Sequence, residues 1–138
     1  MKILVIDAQG GGIGKQLIAA IKQNIAKAEI TAVGANSAAT SAMLKAGADY
    51  GATGENAVVV GCRKADIIVG PIGIVIADAL FGEITPLMAK AVGQSPAKKI
   101  LIPINHCDNI VVGVADLSIS AMVQSVVKEI QSITDKQL

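Results

Sequence analysis

Aromatic residues are almost missing: there is no Trp, and only one Tyr and one Phe occur in 138 residues. A stacking platform for single-stranded nucleic acid has no material to be built from. The core must be aliphatic, drawn from Ile, Val, Leu and Ala. An excess of one charge is missing too, with 12 Lys and Arg against 11 Asp and Glu. Without a basic stripe, nucleic acid is not an expected partner. The two cysteines, Cys62 and Cys107, make neither a CxxC pair nor a disulfide-dense framework. Two ordinary thiols in a reduced, cytoplasmic protein are expected. The lone histidine, His106, stands directly before Cys107. Adjacent side chains diverge, and two groups fall short of the three or four ligands of a zinc site, so this pair reads as a turn. No metal is expected. Long hydrophobic runs are likewise absent. Ile67–Gly82 is broken by Pro71 and Asp78, short of the roughly 20 apolar residues of a membrane span. The opening run, Ile3–Ile6, is too short for a signal peptide. A membrane association is therefore not expected.

What is present suits one domain over residues 1–138, long enough to bury a core without disulfides or metals. Ile3–Ile6 is apolar at every position, the pattern of a strand buried on both faces. Gln9 to Gly14 turns the chain, and Gly14, Leu17, Ile18, Ile21 and Ile25 follow at helical spacing. Further strands are expected at Glu29–Val33, Asp66–Val69 and Ile100–Ile104. Helices are expected after Ser37 as a cap, after Thr53-Gly54, and after Thr85-Pro86, where proline takes the first helical position. A last helix should carry Ile119, Met122, Val123, Val126, Val127, Ile130 and Ile133 on one face. Ile110–Val114 follows too soon for a helical crossover and is expected to pair antiparallel at the sheet edge. Strands alternating with helices predict an α/β, Rossmann-like three-layer sandwich with a mainly parallel sheet of about five strands. Ile72–Phe81 fits helix or strand. Gly73–Phe81 is apolar on both faces, so it is either deeply buried or meets another copy. A homodimer is the expectation.

The turn after the first strand carries the functional signal. Unpaired N–H groups at a helix start, together with the positive end of the helix, attract an anion. Gly11, Gly12 and Gly14 remove side chains that would keep a ligand from the backbone. Lys15 opposes the helix dipole unless a bound phosphate offsets it. Each named motif is incomplete. Gln9-x-Gly11-x-x-Gly14 is the dinucleotide fingerprint without its first glycine. Gly14-Lys15-Gln16 is like the end of a P-loop without its closing Ser or Thr. Ala8-x-x-x-Gly12-Ile13-Gly14 is like the loop of short-chain dehydrogenases with Ala for the first glycine. Their Tyr-x-x-x-Lys pair is missing, because Gly54 stands four positions after Tyr50. The second strand ends in Gly34-Ala35-Asn36-Ser37, with no carboxylate for ribose hydroxyls.

In an open parallel sheet, ligands bind outside the carboxyl ends of the strands. Those ends hold Asp7, Asn36 and Ser37, Gly70-Pro71, and Asn105-His106. Asp7 suits metal contact or proton transfer, or equally a structural role accepting N–H bonds from the turn. Glu55 and Glu83 read as helix-start or surface groups. Cys62 reads as packing. The expected binding set is Asp7, Gln9, Gly10, Gly11, Gly12, Ile13, Gly14, Lys15, Asn36, Ser37, Gly70 and Pro71. The expected ligand is a phosphate-bearing small molecule, NAD(P) or another nucleotide. A small enzyme acting on a phosphorylated metabolite, and a structural subunit with an empty turn, are the alternatives.

Several blocks together, Asp7-Ala8-Gln9-Gly10-Gly11-Gly12-Ile13-Gly14-Lys15, Asn36 to Asp49, Thr53-Gly54-Glu55-Asn56 and Gly70-Pro71-Ile72-Gly73, resemble a family of short bacterial proteins known as a domain of unknown function (DUF3842). The resemblance covers nearly the whole chain. It implies a bacterial cytosolic protein and carries over no activity.

Overall fold

A computed structural model describes residues 1–104 and 108–136. Asn105, His106 and Cys107, read above as a strand end and a turn, lie outside the described residues. In chain order the elements are β1 (Lys2–Asp7), α1 (Gly12–Asn24), β2 (Glu29–Gly34), α2 (Ser37–Lys45), β3 (Tyr50–Thr53), α3 (Glu55–Lys64), β4 (Ile67–Pro71), a short 3-10 helix (Ile72–Val75), α4 (Pro86–Gln94), β5 (Lys98–Ile102) and α5 (Ile119–Lys136).

The strands form a five-stranded sheet in the order β3-β2-β1-β4-β5, and each of its four neighbouring pairs is parallel. The apolar run of β1 has its reason in this placement. Ile3 and Val5 face a layer made by α1, α2 and α5, while Leu4 and Ile6 face α3 and α4. Burying one such side chain contributes about 1.5–3 kcal/mol, and β1 buries all four almost completely. A strand between two helical layers has no face left for water, so alternation disappears.

Helix ends follow local chemistry. Asn36 caps α2 by accepting from Ala39 N at 2.9 Å. The cap is thus one residue earlier than Ser37, which is already helical. Asn36 is extended, with φ −141°, the backbone shape a capping residue needs. Thr85 caps α4 through Met88 N, and Pro86 takes the first turn. In α5, Met122, Val123, Val126, Val127 and Ile130 are buried, as the spacing predicts, while Ile133 is half-buried and Ile119, at the first turn, is exposed.

One expectation fails. Ile110–Val114 is not a strand. The chain turns at Val112-Gly113, where Gly113 adopts φ +85°, and a left-handed residue breaks the extended run that a ladder requires. The fifth strand is β3, paired parallel to β2, so the antiparallel edge disappears. Gly73–Phe81, read as either deeply buried or meeting another copy, is buried in part. Gly73, Ile74, Ala79 and Leu80 are buried beneath α3 and α4, whereas Ala77 and Asp78 are exposed and Phe81 is 96% exposed. The ambiguity of Ile72–Phe81 resolves into the 3-10 helix followed by turns. No helix among the described residues is long and apolar enough to cross a membrane.

Candidate functional site

The strand order reverses at β1. One crossover series leads from it to β2 and β3, the other to β4 and β5. In sheets of this kind the crevice at the reversal, outside the carboxyl ends of the strands, is where ligands bind. The glycine turn leaves β1 at that crevice. Above it lies a cavity of about 220 Å³, lined by Asp7, Ala8, Gln9, Gly10, Gly12, Ile13, Gln16, Leu80 and Ile119.

Asp7 is buried, and its carboxylate accepts from Ala8 N at 2.8 Å and Gly14 N at 2.7 Å. The structural role therefore describes its contacts: it satisfies one of the orphan donors of α1 from inside the protein. Burial pushes its pKa above the ordinary 3.8, while the backbone donors Gly14, Ala8 and Ile13 pull the other way and the Glu83 charge adds to the rise. Desolvation of a carboxylate outweighs its hydrogen bonds here.

Gln9 adopts φ +53°, uncommon for a residue with a side chain. Its backbone is clamped on both sides. Gln9 N donates to Glu83 Oε1 at 2.9 Å, and Asn36 Nδ2 donates to Gln9 O at 2.9 Å. Asn36 Nδ2 also donates to Glu83 Oε2 at 2.6 Å. A left-handed residue costs about 1–3 kcal/mol and persists where its surroundings over-determine it, which this clamp does. Glu83 arrives from the β4–α4 connection, 74 residues along the chain. In the sequence it reads as a helix-start or surface group, and no local pattern points to Gln9. It brings a carboxylate beside the end of β2, where the sequence itself has none. Leu80 and Ile119 also line the cavity without having been expected there.

The four glycines of the turn divide into two pairs. A Cβ on Gly11 would lie 2.9 Å from the Ala39 backbone, and its φ is +72°. A Cβ on Gly14 would lie 2.5 Å from Met43 Sδ and 3.0 Å from Asp7 Cβ. Those two glycines are explained by packing and backbone shape. Gly10 and Gly12 are not: a Cβ there would meet nothing within 4 Å, and neither has positive φ. Their amides also differ. Gly11 N donates to Ala8 O at 3.0 Å and Gly14 N to Asp7. Gly10 N and Gly12 N donate to no group among the described residues. The expected cradle of bare donors is thus narrower than the whole turn.

The other expected residues scatter. Ile13 lines the cavity, with its side chain packed in the α1 layer. Lys15 lies beside the turn rather than over it, in a shallow groove between α1 and α2 with Ser41 and Lys45. Among the described residues the one salt bridge is Lys22–Asp49, so Lys15 faces the groove unpaired. Ser37 is exposed in the first turn of α2. Gly70 and Pro71 are buried at the end of β4 and stand apart from the cavity lining. Gly70 is required by close approach, since a Cβ would lie 2.5 Å from Ile6 O. Glu55 accepts from Thr85 Oγ1 at 2.5 Å and joins α3 to α4. Cys62 is buried, and desolvation lifts its thiol to about 11, as packing requires. No group of three or more metal-ligating side chains occurs among the described residues.

The chain belongs to the family described as Domain of unknown function (DUF3842), whose model matches residues 2–135. No curated protein matches it. Among solved structures it is similar to the crystal structure of a dodecameric FMN-dependent Ubix-like decarboxylase from Escherichia coli O157:H7. That similarity is at 17% identity with a TM-score of 0.48, covering 94% of this chain and 75% of the other.

Proposed function

We propose that this protein binds a phosphate-bearing nucleotide or dinucleotide in the cavity over the glycine turn, with the phosphate on the amides of Gly10 and Gly12. The observation that carries the reading is the pair of glycines without an internal reason. Gly10 and Gly12 have room for a side chain, no positive φ, and N–H groups with no partner among the described residues. A bare backbone at the start of a helix, opening on the sheet's reversal point, is suited to close approach by an anion. The 220 Å³ cavity accommodates a phosphate and an attached sugar, while the rest of the ligand runs outward past Leu80 and Ile119. The enzymatic alternative would need Asp7 free to move a proton, and both of its oxygens already accept amides.

Gly12→Asp separates binding from folding. Position 12 is the first residue of α1, where a carboxylate is favourable to the helix dipole and a non-glycine residue favours the helix. The apo variant should be more stable by about 1 kcal/mol. The new carboxylate fills the phosphate position, so thermal shifts by ATP, NAD or ribose 5-phosphate seen with the wild type should vanish. A variant that keeps the wild-type shifts sinks the proposal, as does a wild type that none of these compounds shifts. Lys15→Glu should weaken binding less, because Lys15 lies beside the turn.

A further inference from the structure

Residues that carry a side chain rarely adopt positive φ. Among the described residues Gln9, Asp78, Leu80 and Phe81 do so, and all four fall in two segments, the glycine turn and the knuckle before α4. Glu83 ties one segment to the other, since its carboxylate accepts from Gln9 N at 2.9 Å and from Asn36 Nδ2 at 2.6 Å. Backbone bonds close the knuckle on itself: Asp78 N donates to Ile84 O at 2.7 Å, and Glu83 N to Leu80 O at 3.2 Å. Conformations of this cost persist where the surroundings over-determine them, and they cluster at ligand clamps. The Glu83 carboxylate is thus held in one place, beside Gln9, which lines the cavity. The clamp uses only part of it. Its two partners are neutral, and the one salt bridge among the described residues is Lys22–Asp49. An ionised carboxylate offers about four acceptor sites, of which the clamp takes two. Glu83 is half-buried rather than sealed in.

We propose that Glu83 receives the ribose hydroxyls of the bound ligand, so that the site takes a nucleotide with a free 2′-hydroxyl and rejects one phosphorylated there. This rests on the glycine-turn reading above. Gln9 N, which Glu83 holds, precedes Gly10 N by one residue, and consecutive Cα atoms are about 3.8 Å apart. A phosphate on Gly10 N therefore brings its attached sugar next to the carboxylate. Hydroxyl groups are the neutral donors that the unused acceptor sites require. Sheets of this layout commonly place an acid at the end of the second strand for the ribose. Here β2 is followed by Ala35-Asn36-Ser37, and the acid comes instead from the β4–α4 connection and bonds to Asn36. A 2′-phosphate would set like charges against each other at this point. Lys15, the cation of the turn, lies in the groove between α1 and α2 and is not there to offset them.

The test is calorimetric titration of the full chain and of Glu83→Gln. Whichever of ATP and NAD binds the wild type more tightly is compared with its counterpart altered at the 2′ position, 2′-deoxy-ATP or NADP. The wild type should prefer the free 2′-hydroxyl by at least about tenfold, the loss expected when a hydrogen bond to a charged group goes. Glu83→Gln should bring the two affinities within about threefold of each other. A side chain that only clamps Gln9 would, when changed, weaken both ligands alike and leave their ratio standing. The ratio therefore separates recognition from positioning. A wild type that binds both members of the pair alike overturns the inference and leaves the glycine-turn reading in place. A variant with the wild-type ratio does the same. A wild type that binds neither ATP nor NAD overturns both.

Discussion

Burial raises the pKa of Asp7 against the pull of its backbone donors, and the balance has a pH signature. Its pKa in the folded chain is above the ordinary 3.8, first because of desolvation. A group raised in this way stabilises the fold fully below its unfolded value. That contribution is lost as pH rises through the folded value. Asp49 works in the opposite sense. Ile30 N first, then Lys22, hold its pKa below 3.8, so its contribution is present above 3.8 and is lost as pH falls. Carboxyl NMR titration should therefore find Asp7 above and Asp49 below the ordinary value. Glu83→Gln should lower the Asp7 value, because the Glu83 charge contributes to the rise. In denaturation measured against pH, the stability of the wild type relative to Asp7→Asn should decline as pH rises through the native pKa of Asp7. A flat difference would mean that the carboxyl titrates alike in both states.

Packing of whole elements decides which glycines matter. Gly14 lets α1 lie close to α2, with Met43 packed over its bare Cα. Gly14→Ala forces a methyl into contacts of 2.5–3.0 Å with Met43 and Asp7. It should destabilise the fold by about 1–3 kcal/mol in urea denaturation. Gly12→Asp, two positions away, should do the reverse. If Gly14→Ala were neutral, α1 and α2 would have room that the structure does not show. The same logic explains which elements were legible. β1 and α1 announce themselves because burial on both faces and burial on one stripe impose different apolar periods. β3 is Tyr-Gly-Ala-Thr, exposed at every position. A strand at an edge with no buried face writes no pattern into its residues. Ile110–Val114 errs the other way, being strongly apolar yet unpaired, since its side chains are outside the core.

Across the whole molecule, stability should fall from the centre of the sheet to its β3 edge. β1 lies between β2 and β4 and is buried from Ile3 to Asp7, whereas β3 has one neighbour and no buried residue. Native-state hydrogen exchange should therefore show β1 amides exchanging only on global unfolding and β3 amides exchanging much sooner by local opening. Equal protection in both strands would count against the isolated edge, or would mark β3 as covered by another molecule.

By itself, the amino-acid order determined the class of fold, most helix starts and the position of the turn after β1. These depend on short-range chemistry: apolar period, capping side chains and glycine. Contacts between residues far apart in the chain belong to the tertiary structure alone. Folding brought Glu83 across 74 positions to Gln9, carried Leu80 and Ile119 to the same cavity, and led Lys15 away from it. It also separated Gly10 and Gly12 from Gly11 and Gly14. All four look alike in the sequence, and only the neighbours that surround each one show which are needed for packing and which have open space beside them.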